Sequence, residues 1–386
     1  MEDRIEPEQL LAAARAQTGL ADVGDIPFAE PLDVLVAALD DEARLEPGQR
    51  QAVVATLVGL LAKRLRLVED RRVNPGIAAE VVRAPIFIVG LPRTGSTLLH
   101  ALMGEAEGIR TPRYWEMLLP SPPPRADTAA SDARIAQVQA IVDTLPAELL
   151  ARHPMSPTRP EQCNLLNDWS FYHQALLASY AIPSYRDWLL NADYRPAFEA
   201  HRRTLQHLQW ANPGQWVLKY PKHLMTLDVL LEAYPDARLV WTHRDPAVVI
   251  PSVASFTGYM RASAAPAAFD GPRFGREWAL LEELVLRRGL DVRDGLADAD
   301  DRIYDLHYAE LMGDPVGSVA SIYRHFGVPF GESSSRRVSA FVAAHPQGEH
   351  GAHRYRAEDF GLSAAGLRER FGFYIRRFGV AEEQRA

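Results

Sequence analysis

Eight consecutive residues, Gly90-Leu91-Pro92-Arg93-Thr94-Gly95-Ser96-Thr97, carry two glycines separated by four residues, three hydroxyl side chains and a single cation, Arg93. That composition suits an anion. Glycines let the backbone turn tightly enough for successive N–H groups to converge on a phosphate oxygen, and a helix starting there adds the positive end of its dipole. The spacing is that of a nucleotide phosphate loop, except that Ser96 stands where a lysine would follow the second glycine. That lysine normally reaches the β- and γ-phosphates of a nucleoside triphosphate. Here the cation has moved to Arg93.

A second group lies further on. Thr242-His243-Arg244-Asp245-Pro246 ends an apolar run, and Ser252 follows Arg244 by eight positions. Asp245 before Pro246 is a helix start, with Asp as the cap and Pro at the first helical position. Arg244 has no such local duty, and an arginine fork with a nearby hydroxyl suits a phosphate. His-Arg-Asp is also the core of a protein-kinase catalytic loop, but that needs Asn five residues after the Asp, and position 250 is Ile. The chain has only three lysines, Lys63, Lys219 and Lys222, two of them in the stretch Trp216–Leu224. Where arginine is the default cation, two close lysines point to a need for a compact ammonium.

These residues need elements to hold them. Ile86–Val89 predicts a buried strand and Ser96–Leu102 a helix, so the loop joins strand to helix. Strands are expected again at Trp216–Lys219, Ala237–Trp241 and Arg302–Leu306, with helices at His223–Tyr234, Pro246–Arg261 and Pro315–Phe326. Strands alternating with helices predict a parallel sheet with right-handed crossovers. Residues 1–82 carry apolar residues at helical spacing over Pro7–Gly19, Ala29–Leu45 and Pro47–Val73 before Asn74-Pro75-Gly76 breaks the pattern. Helical patterning also covers Ala133–Leu150, Glu161–Ala178, Tyr194–Trp210, Arg336–Ala344 and Ala364–Arg377. The expected organisation is a helical N-terminal extension, residues 1–82, packed on an α/β domain of residues 83–386. The domain is a phosphate-loop parallel sheet flanked by helices, with helical insertions.

The stretch GLPRTGST resembles the 5′-phosphosulfate loop of the sulfotransferases that use 3′-phosphoadenosine 5′-phosphosulfate (PAPS). In that family a strand leads into Pro-(Lys/Arg)-(Ser/Thr)-Gly-(Ser/Thr)-Thr and a helix, and a later strand ends in Arg-(Asn/Asp)-Pro with a Ser eight residues on. Both patterns occur here in the right order. The run Asp305–Leu311 followed by Asp314-Pro315 is similar to the family's Tyr-x-x-Leu…Pro segment. GLPRTGSTLL, WVLKYPKHL and HRDP look closest to the bacterial small-molecule branch.

The resemblance implies transfer of a sulfuryl group from PAPS to a hydroxyl of a small acceptor, an alcohol or phenol, releasing 3′,5′-ADP and needing no metal. It implies that Arg93, Thr94, Gly95, Ser96 and Thr97 hold the 5′-phosphosulfate and that Arg244 and Ser252 hold the 3′-phosphate. Tyr308 would touch the nucleotide. The Arg-Lys-Gly ending of the animal cytosolic enzymes is missing, and Arg354 is the expected substitute. Arg93 is expected to be catalytic as well, as is Lys219 at the end of its strand. For the base, the expectation is Glu116, within the polar-aromatic segment Arg113-Tyr114-Trp115-Glu116, with His223 as the runner-up. The aromatics Tyr114, Trp115, Trp169, Phe171 and Tyr172 would line an apolar acceptor pocket or, equally, fill the core.

Bulk properties narrow the alternatives. With 386 residues, 47% of them hydrophobic, and a net charge of −8, the chain has a large core and no charge signature of a nucleic-acid or anionic-membrane partner. Cys163 stands alone, so an intrachain disulfide and a cysteine-based zinc site are not expected. No signal-peptide pattern or membrane-length apolar run is read, and a cytoplasmic protein is expected. A small-molecule kinase would need a lysine beyond Gly95. An inactive nucleotide-binding protein would leave the loop cation and the candidate bases without a task. Oligomeric state is not legible.

Overall fold

The structure, a computed structural model, describes residues 4–172, 174–264, 269–346 and 355–383. Five strands, β1 (Ile86–Gly90), β2 (Ile109–Arg110), β3 (Gln215–Lys219), β4 (Arg238–His243) and β5 (Ile303–His307), form one sheet in the order β2-β3-β1-β4-β5. Every pairing is parallel. Every residue of β1 is buried, as the unbroken run Ile-Phe-Ile-Val requires of a strand covered on both faces. Registry sets Ile88 beside Lys219, Gly90 beside Thr242, and His243 beside His307. The carboxyl ends of four strands therefore meet at one edge, where ligands bind in open α/β sheets.

The principal helices run in chain order: α1 (Pro7–Thr18), α2 (Ala29–Asp41), α3 (Pro47–Val73), α4 (Ser96–Met103), α5 (Ala133–Asp143), α6 (Pro183–Asn191), α7 (Arg195–Gln209), α8 (Pro246–Ala264), α9 (Gly271–Asp294), α10 (Pro315–His325) and α11 (Glu332–Ala344). Leu10, Leu35, Leu57 and Leu61 of α1–α3 join the same buried cluster as Phe87, Trp216 and Trp241 of the sheet. The opposite face of the sheet packs through Ile86, Ile88 and Val240 on Leu99, Val319 and Ile322 of α4 and α10.

Several stretches depart from the expected pattern, among them Ala133–Leu150, which breaks into the helices Ala133–Asp143 and Ala147–Arg152. Glu161–Ala178 is not one helix; it folds as short turns, Cys163–Leu166 and Asp168–Ser170, then the single helical turn Leu176–Ser179. Lys63 reaches from α3 into this stretch, donating to Asp168 at 2.7 Å and to the Leu165 carbonyl at 2.9 Å, and Phe171 takes a left-handed φ of 65°. Tertiary bonding here overrides an apolar periodicity. Ala364–Arg377 divides at Phe371 into two short helices. The 24-residue α9 was not expected at all.

At Gly90, φ is +129°, and a side chain there would place Cβ 2.5 Å from the Thr242 carbonyl. Gly90→Ala should lower unfolding free energy by about 1–3 kcal/mol, the range of backbone strain at such a position. Denaturant titration checks this, and an unchanged midpoint would mean that β4 yields at no cost.

Candidate active site

The loop between β1 and α4 is held from below. Thr94 is buried, donates to the Leu91 carbonyl at 2.8 Å and lies 2.6 Å from the hydroxyl of Thr242. Its hydroxyl thus braces the loop against β4 and is not turned to a ligand. Arg93 takes a left-handed φ of 64°, a strained state for a side-chain-bearing residue, and the residue is exposed. Gly95 is the N-cap of α4, with φ +82° and no side chain to cap the helix. The first N–H in this helix to find a backbone carbonyl is that of Leu99, which donates to Gly95 at 3.0 Å. Helix starts leave their first N–H groups without helical partners, so those of buried Ser96 and exposed Thr97 remain available to an anion.

The second cation arrives from β4. Arg244 donates to the backbone carbonyl of Arg93 at 3.0 Å, so the two predicted phosphate binders are physically tied. Its guanidinium stacks over Tyr308, 3.7 Å from the ring centre, and Tyr308 itself packs against Gly95. Ser252 on α8 accepts from Arg93 Nε at 3.3 Å. Asp245 does cap α8, accepting from the Ala247 N–H at 2.9 Å, while its other oxygen takes Arg368 and the Glu383 N–H. The structure thus brings Arg93, Gly95, Arg244, Ser252 and Tyr308 together. Arg354 lies outside the described residues.

The fork of Arg244 is occupied by a carboxylate. Its Nε and Nη2 grip both carboxylate oxygens of Glu383, at 2.9 Å each, in the two-pronged geometry that phosphate also takes. Sequence reading missed Glu383, because nothing local marks a glutamate near the chain's end as a partner for residue 244.

Lys219 ends β3, buried, with its ammonium 3.8 Å from Glu161. Burial lowers its pKa, Glu161 pulls it back up, and Arg93 lowers it further, which places Lys219 within the field of the loop cation. Burial would raise the Glu161 carboxyl, but His153, Lys219 and the Gln162 N–H hold it down at about 2. Neither Glu161 nor His153 carries a motif, and both escape sequence reading.

The two expected bases do other work. Glu116 is buried, with one oxygen taken by Arg110 at 2.6 Å and the other by the Arg113 N–H at 3.0 Å, so it starts the short helix Tyr114–Leu118. Each of its oxygens thus has a donor within the protein. His223 is packed among Phe87, Phe198, His201 and Tyr220, its Nε2 3.1 Å from the Cys163 thiol, and burial keeps it well below the usual imidazole pKa. The expected acceptor aromatics are likewise core. Trp115 sits under Arg134, Trp169 bonds Leu166 and Thr204, and Tyr172 packs on Trp188 and Tyr194. One grouping that spacing could not reveal is Cys163, His201 and His223, whose ligand atoms all lie within 4.8 Å of one another.

A lone loop cation, a second arginine tied to the loop and a buried lysine thus gather at the carboxyl edge of the sheet. Residues 85–332 match the sulfotransferase family, and the chain belongs to that family. It is 27% identical over 349 residues to an omega-hydroxy-beta-dihydromenaquinone-9 sulfotransferase found in Mycobacterium bovis and Mycobacterium tuberculosis, covering 85% of this chain and 82% of that protein. Its fold is similar to sulfotransferase STF9 of Mycobacterium avium (TM-score 0.91, 26% identity, all of both chains). It is also similar to STF1 of M. tuberculosis (TM-score 0.83, 30% identity, 97% of this chain and all of that one). No helix among the described residues is long and apolar enough to cross a membrane.

Glu116→Gln keeps the shape of the helix start but weakens a buried charged bond. Unfolding free energy should fall by about 1–3 kcal/mol, with turnover unchanged. A variant that folds as wild type and loses turnover would return Glu116 to the chemistry.

Proposed function

We propose that this sulfotransferase moves the sulfuryl group of PAPS onto a hydroxyl of a small acceptor with a large apolar part, releasing 3′,5′-ADP. The carrying observation is the Arg244 site. A carboxylate occupies its fork, Tyr308 stacks beneath it, and the Arg93 carbonyl aligns it, so the residues fit a phosphate monoester. In this reading Arg244 and Ser252 hold the 3′-phosphate, and the Glu383 carboxylate leaves as the donor enters. The uncapped N–H groups of Ser96 and Thr97, with Arg93, hold the phosphosulfate.

Arg93 pairs with no carboxylate among the described residues, so its full charge is available. Lys219 adds a second charge at the same edge, tempered by Glu161. Negative charge grows on the bridging oxygen as the sulfur–oxygen bond breaks, so cations fixed there favour the transition state over the ground state. Residues 1–82 form a layer supporting this domain of residues 83–386.

Two observations support an apolar acceptor. The mycobacterial relative is named for a long hydroxylated quinol. Within this chain, a cavity of about 480 Å³ has an apolar side of Leu177, Tyr180, Phe269, Phe274 and Trp278 and a charged side that includes Glu42, Arg186, Arg261 and Arg273. Arg261 lies on α8 nine residues beyond Ser252, roughly 14 Å along a helix. An acceptor whose hydroxyl meets Arg93 would need that reach.

Calorimetry with 3′,5′-ADP and 5′-AMP tests the donor assignment. The wild type should prefer 3′,5′-ADP, and Arg244→Ala should remove about 1.5–3 kcal/mol of that preference; equal affinities in the wild type would overturn it. Glu383→Gln should tighten 3′,5′-ADP about two- to fivefold, as expected on losing a competing ion pair worth ~0.5–1 kcal/mol. Arg93→Ala should cut kcat on the order of 100-fold or more with a smaller effect on affinity. Collapse of affinity with kcat intact would make Arg93 a clamp only.

A further inference from the structure

Beyond the donor site, one pair of groups remains without a task. His153 Nε2 donates to Glu161 Oε2 at 2.8 Å. The other oxygen of Glu161 accepts the Gln162 N–H at 2.8 Å and faces the Lys219 ammonium at 3.8 Å. The carboxylate is buried and each of its oxygens holds a donor, so it serves as an anchor. The imidazole keeps 16% of its surface exposed, and among the described residues Nδ1 has no protein partner.

Position completes the case. The His153 ring lies against Phe256, with 5.7 Å between centroids. Phe256 is one helical turn along α8 from Ser252, the residue bonded to Arg93. Glu161 bonds His153 on one side and meets Lys219 on the other. The histidine is therefore linked through Glu161 to Lys219, and through Phe256 to the helix that carries Ser252 and its bond to Arg93.

We propose that His153 is the catalytic base of this sulfotransferase and that Glu161 is its positioning residue. The proposal rests on the hydroxyl-acceptor reading above. Because Glu161 accepts the Nε2 proton, neutral His153 carries its lone pair on Nδ1. The acceptor's O–H proton passes to Nδ1 while its oxygen forms the new bond to sulfur. The sulfur–oxygen bond to the nucleotide breaks, its electron pair leaving on the phosphate oxygen beside Arg93. The imidazolium formed is stabilised by Glu161, and its proton is then lost to water. A His held by a buried carboxylate is the arrangement general-base catalysis calls for.

The competing role is a staple. Glu161 N–H also donates to the Pro112 carbonyl, so the same residues tie two loops together. Acceptor acidity separates the roles. In the full chain, sulfation of 4-methylphenol and of the far more acidic 4-nitrophenol is measured with labelled PAPS, beside 3′,5′-ADP binding. His153→Ala should lose about 100-fold or more in kcat with 4-methylphenol. It should lose far less with 4-nitrophenol, which is largely ionised near neutral pH, and should keep 3′,5′-ADP affinity. Glu161→Gln should show the same acceptor-dependent pattern in weaker form. Equal losses on both phenols would overturn the proposal in favour of the staple.

Nitrogen-15 NMR of labelled histidine gives an answer that needs no acceptor. Neutral His153 should be the Nε2–H tautomer, and that preference should fade in Glu161→Gln. An Nδ1–H tautomer in the wild type overturns the proposal. If the wild type binds 3′,5′-ADP but sulfates neither phenol, the acceptor needs the large apolar part proposed above, and an Nδ1–H tautomer would still overturn the base.

Discussion

The contact on which this site depends is the buried meeting of Thr94 and Thr242, whose hydroxyls lie 2.6 Å apart beneath the loop. Thr242 is two residues before Arg244, and Thr94 is one residue after Arg93. Pinning one threonine to the other therefore fixes the separation of two arginines from different strands. Gly90 makes the contact possible, because any side chain there would strike the Thr242 carbonyl. With the backbone so close, Arg244 can reach the Arg93 carbonyl, and the two arginines are tied by the protein's own contacts. Preorganised cations do not have to reorganise when charge develops, which is where electrostatic catalysis gains most.

An acidic chain building a cationic site must keep its own carboxylates from quenching it. Each cation here is treated differently. Arg93 has no carboxylate partner among the described residues and is exposed. Arg244 is covered by Glu383, a residue from the far end of the chain that an incoming phosphate can exchange with. Lys219 is buried, which would strip its charge, and Glu161 opposes that loss from 3.8 Å rather than from a full hydrogen bond. The result is graded: an exposed cation, one covered by a carboxylate, and a buried one whose pKa burial lowers and Glu161 raises.

What was legible in the sequence is what local chemistry writes. The loop glycines, Arg93, the Arg244–Ser252 spacing and the alternation of strands and helices all follow from short-range rules, and the family match and the parallel sheet agree with them. Helix α9 was illegible because Gly275 and Gly289 look like breakers. In the fold they are points of close approach: a Cβ at Gly275 would meet the Phe360 carbonyl at 2.2 Å, and one at Gly289 would meet Leu224 at 2.9 Å. Glu161–Ala178 looked helical because its apolar spacing is real, but Asp168 is committed to Lys63, more than a hundred positions away.

Choosing a base exposes the same limit more sharply. Glu116 stands three residues after Arg113 among aromatics, so a local reading makes it either a surface pair or an activated carboxylate. In the fold it is buried, and Arg110 and the Arg113 N–H each hold one of its oxygens. A carboxylate's role is decided by how many of its lone pairs are left over, and that number depends on groups brought in by folding. Glu161 has the same engaged character, yet one of its partners is an imidazole whose second nitrogen is left over. The capacity to take a proton is thus displaced from the carboxylate to its neighbour. No spacing rule predicts that displacement, because His153 and Glu161 sit on an irregular segment whose course is set by bonds to Pro112 and Tyr114, not by any period of its own.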